Sequence, residues 1–326
     1  MCAYSIYSDS FDLLIRFGKN EMKITDAKNQ LELLKQDFLT ADLPKKLQIA
    51  HDAAFLHPYF WHYTSLDNAL SMIEKKEMWL TRSNSLSLDD HNESRKFGTE
   101  AIHRRSYIGC FTHHSGESAA MWALYCKPDE KQVRISVPSE AMKKWVDYLR
   151  TDSAEFLGAE TVHGKKIETK NAIEVSGINF VDVLYASVKG DRKGEKHRDG
   201  LIRWRGLKSE NSFTAENVRD SQCTAKMKDV EWEFEDESRL VVTAKRERDC
   251  VAVKRIKISV TEEFLASMSF TLSPWLCESE IRDYRAFIRD AVRKGVNAKL
   301  LGLRRPYIMP STLSGALVSW AKTRQG

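Results

Sequence analysis

A chain of 326 residues with 42% hydrophobic residues and eight tryptophans can bury a substantial core, and its 30% charged fraction is ordinary, which excludes a disordered composition. The 51 Lys and Arg against 46 Asp and Glu leave a net charge of +5, which permits contact with nucleic acid without implying it. The six cysteines are scattered with no C-x-x-C spacing, so neither a zinc ribbon nor a dithiol redox site is indicated.

The first twenty residues, MCAYSIYSDSFDLLIRFGKN, lack a basic segment followed by a long apolar run, and no stretch reaches the length of a membrane span. A reduced, soluble, cytoplasmic chain without a membrane partner is expected. Residues 20–56 read as helical, with Leu31, Leu33, Leu34 and Phe38 among charges, so 1–56 is expected to form a helical arm or cap. The compact body, 57–326, starts near FLHPYFWHYTS. Ser65 is a predicted N-cap for a helix carrying Leu66, Ala69, Leu70 and Ile73. MWLTRS (78–83) reads as a strand, SNSLSLDDHNE (83–93) as a polar loop, and SYIGCFT (106–112) as a strand. A loop, the helix AAMWALYC and the strand KQVRISVP (131–138) come next, then a helix with Met142, Trp145, Val146 and Leu149 on one face. INFVDVLYASV (178–188) reads as one strand, and the basic, turn-rich run 189–210 as a mobile loop or insertion. Strands at 238–244, 251–260 and 269–276 precede a helix from Ser279 that Gly295 would stop, and NAKLLGL reads as a last strand. This order favours an α+β fold of split mixed or antiparallel sheets with flanking helices over a doubly wound sheet.

No phosphate-cradling P-loop, dinucleotide-binding glycine turn or G-x-S-x-G occurs. The candidate chemistry lies elsewhere. His62 and Tyr63 stand at a helix entrance, where outward N–H groups hold polar ligands. His113, His114, Ser115 and Ser118 precede an aromatic helix with Met121, Trp122 and Tyr125. Arg192, Lys193, Arg198, Arg203 and Arg205 surround Trp204 in a pattern that suits phosphate neutralisation and base stacking. In DVEWEFEDESRL (229–240), period two would place Glu233, Glu235, Glu237 and Arg239 on one strand face, while a helix would make the same acids a solvated surface. Each stretch also has a plain structural reading: a satisfied histidine, core aromatics, a solvated basic loop.

Taken in order, HYTS, MWLTRS, DDHNE, CF with MWALY, and EWEFEDESRL resemble an uncharacterised bacterial domain family. Its members share a His-Tyr-Thr-Ser start, a Met-Trp centre and a Trp-x-x-Glu-x-Glu-x-Arg segment. The resemblance covers about Phe60 to Trp275, with gaps. That family is similar to the ADP-ribosyltransferase fold, which binds NAD in a cleft of a split α+β sandwich. The resemblance implies that His62, with Tyr63 and Thr64, holds ribose and that Ser118 with Trp122 or Tyr125 shapes the nicotinamide pocket. Glu235 and Glu237 would do the chemistry beside Arg239, which keeps them ionised or binds pyrophosphate. The chain lacks the glycine after the histidine and the Ser-Thr-Ser of the best-known enzymes.

The expected function is an NAD-dependent ADP-ribosyltransferase, a bacterial toxin or anti-phage effector, with NAD as substrate and no metal. Its acceptor would be a protein or nucleic acid, and its partner an antitoxin or defence component. The alternatives are a non-catalytic nucleotide or nucleic-acid binding module, and a metal-dependent nuclease built on Asp90, Glu93 and the acidic stretch; a looser metal set would add Asp89 and His91.

Overall fold

The computed structural model describes residues 24–85, 93, 96–125, 131–151, 153–162, 165–187, 200–210, 215–246, 253–297, 300 and 306–313. Its helices are α1 (Ile24–Thr40), α2 (Leu43–Ala53), α3 (Leu66–Lys75), α4 (Glu100–His103), α5 (Ala119–Tyr125), α6 (Ser139–Leu149), α7 (Ala215–Val218), α8 (Glu262–Ala266) and α9 (Glu278–Gly295). Its strands are β1 (Tyr59–Ser65), β2 (Glu77–Arg82), β3 (Ser106–Thr112), β4 (Gln132–Pro138), β5 (Phe156–Val162), β6 (Lys165–Ala172), β7 (Val175–Asp182), β8 (Leu184–Ser187), β9 (Leu201–Trp204), β10 (Leu207–Ser209), β11 (Met227–Asp229), β12 (Glu237–Ala244), β13 (Arg255–Ser259), β14 (Ser269–Leu272) and β15 (Ile308–Met309).

Strand β3 organises the larger sheet. One of its edges pairs along its whole length with β12, from Thr112 opposite Glu237 to Ser106 opposite Thr243. The other edge is shared. β1 meets it at Trp61 opposite Thr112, and β2 meets it at Thr81 opposite Ile108 and Arg82 opposite Tyr107. Two branches leave that edge, β1-β4-β14-β15 and β2-β13-β5-β6, while β12 carries β7 on the far side. A second sheet runs β10-β9-β8-β11. Most pairs are antiparallel, but β14 with β15 and β8 with β11 are parallel, so both sheets are mixed. This is an α+β architecture, as the element order leads one to expect.

Side-chain alternation assigns two packed faces. On one, Phe111, Leu240, Val242, Phe60, Val133 and Ile135 pack with α3, α6, α8 and α9. Helix α3 forms because Ser65 accepts from the Asn68 N–H at 3.2 Å and its apolar positions recur on one stripe. Met142, Trp145, Val146 and Leu149 of α6 are all buried. On the other face, Ile108, Val181 and Val241 meet Phe38, Leu47 and Ala50 of α1 and α2, together with Leu184, Ile202, Trp204 and Met227 of the second sheet. The two N-terminal helices thus form a layer of this core. Each such side chain contributes about 1.5–3 kcal/mol by burial.

The structure departs from the sequence reading in places. INFVDVLYASV is two strands: Val183 lies between β7 and β8, and the chain passes from the larger sheet to the smaller within that one residue. The acidic stretch is neither one strand nor one helix. Asp229 caps a 3-10 turn over Val230–Glu235, and Asp236 is left-handed (φ 42, ψ 59), which ends the turn before β12 begins at Glu237. Gly295 is the last residue of α9, and it lies where a Cβ would stand 2.4 Å from the Ile73 carbonyl oxygen. The basic run is a hairpin where it is described, β9-β10 turning at Arg205 and Gly206, both with positive φ (49 and 75). Of NAKLLGL, residues 298, 299 and 301–303 lie outside the described residues.

Candidate active site at the carboxylate pair

The 3-10 turn takes Glu233 off the face that a continuous strand would give it and leaves Glu235 and Glu237 together. Glu233 points outward to Arg203, at 2.6 Å. Glu235 turns inward and Asp236 outward, and Glu237 opens β12 facing the same interior as Glu235. Both inward carboxylates are buried, Glu235 at 2% and Glu237 at 4% exposure. Carboxylates are rarely this buried without strong partners.

Those partners come from distant segments. Lys228 donates to Glu235 at 2.7 Å and lies 3.7 Å from Glu237, with its ammonium 4.6 Å from the Trp232 ring centroid. Tyr125, at the end of α5, donates its phenol to Glu235 at 2.5 Å. Arg239 donates Nε to Glu237 at 2.8 Å, and it holds Glu93 through Nη1 at 2.5 Å and Nη2 at 2.9 Å. The Glu237 N–H donates to the Tyr185 hydroxyl at 2.8 Å.

The environment drives the two acidities apart. Burial, then the charge of Glu237, raise Glu235 to about 7. Burial works the same way on Glu237, but Arg239 and Lys228 outweigh it and hold that acid at about 2. Near neutral pH one carboxylate is ionised and the other is poised to exchange a proton, the division of labour that acid–base catalysis requires. Cys110, centred on the same face of β3, has its thiol pushed well up by burial and by Glu237.

The predicted site residues separate by sheet face. Tyr63 shares the face of Glu237 and Arg239; it meets Trp122 edge-on with centroids 4.9 Å apart, and its hydroxyl accepts the Ser118 N–H at 3.4 Å. Ser118 opens α5 by accepting from Met121 N–H at 3.3 Å, and the same helix carries Trp122 and Tyr125. Tyr63 and the helix opened by Ser118 therefore lie on the side of Glu235 and Glu237, and of these residues Tyr125 and Arg239 touch the pair. His62 and Thr64 do not join them. Alternation turns these two to the opposite face, where they stand across from Ile135 and Val133. The His62 ring lies 5.4 Å from Phe111, its Nδ1 donates to the Cys110 carbonyl at 2.8 Å, and burial lowers its basicity. His62 and Glu237 thus do not line one cavity.

Among the basic candidates, Arg203 is engaged by Glu233, and Trp204 is buried in the second core with its indole donating to Asp182. Alternation along β9 explains the pair: Ile202 and Trp204 point in, Arg203 out. Trp204 therefore offers no stacking surface, and Arg205 ties Asp182 to the Ala53 carbonyl. Arg192, Lys193 and Arg198 lie outside the described residues, as do Asp89, Asp90 and His91. Glu93, the remaining member of the nuclease set, is committed to Arg239.

A second cluster lies across the Asp236 turn. His57, His113 and Asp182 hold their ligand-type atoms within 4.8 Å of one another, close enough to consider a metal ion. The donor set argues against one. The Asp182 oxygens already accept from Ser238 at 2.7 Å, Trp204 at 3.2 Å, Arg205 at 2.8 Å and His57 at 3.2 Å. The imidazoles of His57 and His113 lie stacked, with centroids 3.8 Å apart and planes 19° from parallel, so their in-plane lone pairs do not converge as metal ligands must. The sequence reading singled out neither His57 nor Asp182, though one signal was present: a lone acid inside the apolar run INFVDVLY implies a buried, paired carboxylate.

Among the described residues, no helix is long and apolar enough to cross a membrane. No protein-family model, curated protein or solved structure matches the chain.

Proposed function

We propose that the chain is an NAD-dependent transferase of ADP-ribosyltransferase type, with Glu235 and Glu237 as its working carboxylates. The observation that carries this reading is the pair itself: two buried acids with divergent acidities, held by Tyr125, Lys228 and Arg239. The resemblance of the Trp-x-x-Glu-x-Glu-x-Arg segment to that fold supports the same assignment.

In this mechanism the bond between ribose C1′ and the nicotinamide nitrogen breaks, and its electron pair leaves with neutral nicotinamide. The ribosyl cation that develops resembles that of glycoside cleavage. Glu237, ionised, stabilises it and orients the 2′-hydroxyl. The acceptor, a protein or nucleic-acid nucleophile, attacks C1′ and passes its proton to Glu235. Tyr125 and Lys228 hold Glu235 in place. Tyr125 is 42% exposed, so its ring links the buried acids to solvent.

The decisive experiment incubates the purified chain with labelled NAD and cell extract. Nicotinamide release that Glu237→Gln abolishes, with folding intact, supports the reading; unchanged turnover in that variant removes Glu237 from the chemistry.

A second reading is a non-catalytic nucleotide-binding module. It is favoured by the commitment of Glu237 to Arg239 and Lys228, a pattern that equally suits a structural ion network. Saturable NAD binding without nicotinamide release would select it.

A further inference from the structure

A cavity of about 700 Å³ opens on the other side of the Asp236 turn, and its floor is the stacked pair His57 and His113. Its walls bring Lys35 from α1, Arg205 from the β9-β10 turn, and Phe234 and Asp236 from the acidic segment. This volume lies within the range of small-molecule sites.

Asp182 fixes both imidazoles. Burial alone would raise its pKa, but Arg205 and His57 outweigh burial and hold it well below the usual carboxylate range. An ionised carboxylate only accepts, so His57 Nε2, at 3.2 Å, carries the proton and Nδ1 holds the lone pair. Ser238 donates its hydroxyl hydrogen to Asp182, so its oxygen accepts from His113 Nδ1 at 3.2 Å. His113 Nε2 then holds the lone pair and lies 4.0 Å from the Asp236 carboxylate. One buried acid thus sets the tautomer of two stacked histidines, directly for one and through a serine for the other. Both rings are kept neutral by burial.

The rest of the lining is a mixed, addressable surface. Arg205 spends Nε on Asp182 and Nη2 on Asp182 and Ala53, which leaves Nη1 uncommitted among the described residues. It does so from a left-handed backbone conformation, which a non-glycine residue adopts only when the surroundings hold it there. Phe234 is 44% exposed, an apolar ring at the cavity wall rather than in a core. Exposed aromatic faces next to cations are the elements that hold a base and a phosphate.

We propose that this cavity binds a mononucleotide-sized ligand, a planar base against Phe234 and a phosphate at Lys35, Arg205 and His113. Asp236 accepts from a hydroxyl or exocyclic N–H of the ligand. The site is distinct from the carboxylate pair and does not depend on NAD turnover there. Proton uptake follows from the geometry: a phosphate beside the His113 lone pair favours the protonated ring. The charged and titratable groups around that ring are His57, Arg205, His114, Lys35, Glu233 and Asp236, with Asp182 behind it.

The test is calorimetric titration of the full chain with AMP, GMP, CMP and UMP, with adenosine and inorganic phosphate as partial ligands. A 5′-phosphorylated tetranucleotide is the polymer arm. At least one mononucleotide is expected to bind, at least tenfold more tightly than either partial ligand, and more tightly at pH 6 than at pH 8. Phe234→Ala, at an exposed ring, and Lys35→Ala, at a half-buried side chain whose ammonium also holds the exposed Glu32, are each expected to weaken it about tenfold. The proposal fails if no mononucleotide binds at millimolar concentration, if both variants bind as the parent does, or if only the tetranucleotide binds.

Discussion

Tyr125 and Glu235 lie 110 residues apart in the chain and meet through a hydrogen bond of 2.5 Å, phenol to carboxylate. That bond favours the charged form of Glu235 and opposes the burial that raises it. Tyr125→Phe should therefore move the Glu235 limb of the pH–rate profile for nicotinamide release to higher pH, with a loss of about tenfold near neutrality. The measurement is kcat/KM against pH for both proteins; a lower rate with an unmoved profile would assign Tyr125 to binding only.

The two carboxylates affect stability in opposite senses. Glu235 has a folded value near 7, above its reference of 4.5, so its contribution is fully present below about 4.5 and is lost as pH rises through 7. Glu237, held near 2, contributes above about 4.5, and that is lost as pH falls through 2. Between pH 5 and 8 the Glu235 contribution dominates this pair and amounts to about 3 kcal/mol. Urea unfolding of Glu235→Gln across that window should show a flatter decline with pH than the parent. Parallel curves would show that Glu235 titrates normally.

Arg239 is 1% exposed and holds Glu93 and Glu237 together. Arg239→Ala removes the cation that two buried carboxylates share, leaving Glu237 only Lys228 at 3.7 Å, and should cost about 3–5 kcal/mol of unfolding free energy. Arg239→Lys should recover only part of this, because an ammonium cannot reproduce two forked contacts. Denaturant midpoints read both effects, and full recovery by lysine would show that charge alone matters.

Gly295 and Gly206 serve different ends. A Cβ at Gly295 would sit 2.4 Å from the Ile73 backbone oxygen, so Gly295→Ala must push α9 off α3, at about 1–3 kcal/mol. At Gly206 there is open space, and only its positive φ of 75 is at stake, which costs about 1 kcal/mol. Thermal midpoints should rank Gly295→Ala as the more damaging; the reverse order would deny the close approach of the two helices.

The stacked rings of His57 and His113, with Asp182 saturated by four donor residues, predict that chelation changes nothing. Dialysis against EDTA should leave the melting temperature and any nicotinamide release unchanged. A fall of several degrees, restored by zinc, would assign these three residues to a metal centre.

What was legible in the sequence was local. Ser65 and the spacing of Leu66, Ala69 and Ile73 gave a helix with its cap, and SYIGCFT gave β3 to the residue. The stripe Met142, Trp145, Val146 and Leu149 pointed to a buried face and is one. Two kinds of information were not local. Strand length was misjudged at Val183 because an apolar run looks continuous whether it stays in one sheet or changes to another. The resemblance put His62 and Tyr63 in one ribose site because a motif fixes neighbours in sequence, while alternation sends His62 and Tyr63 to opposite sides of β1. The acidic stretch failed for a third reason: one left-handed residue, Asp236, breaks the period on which both regular readings relied.

Val183 is also where the two sheets are joined. Its N–H bonds the Glu237 carbonyl at 2.9 Å, so a single peptide ties both sheets and the start of the acidic strand at one point. Opening either sheet at this point loads that link, so slow exchange is expected of the amides on either side of it.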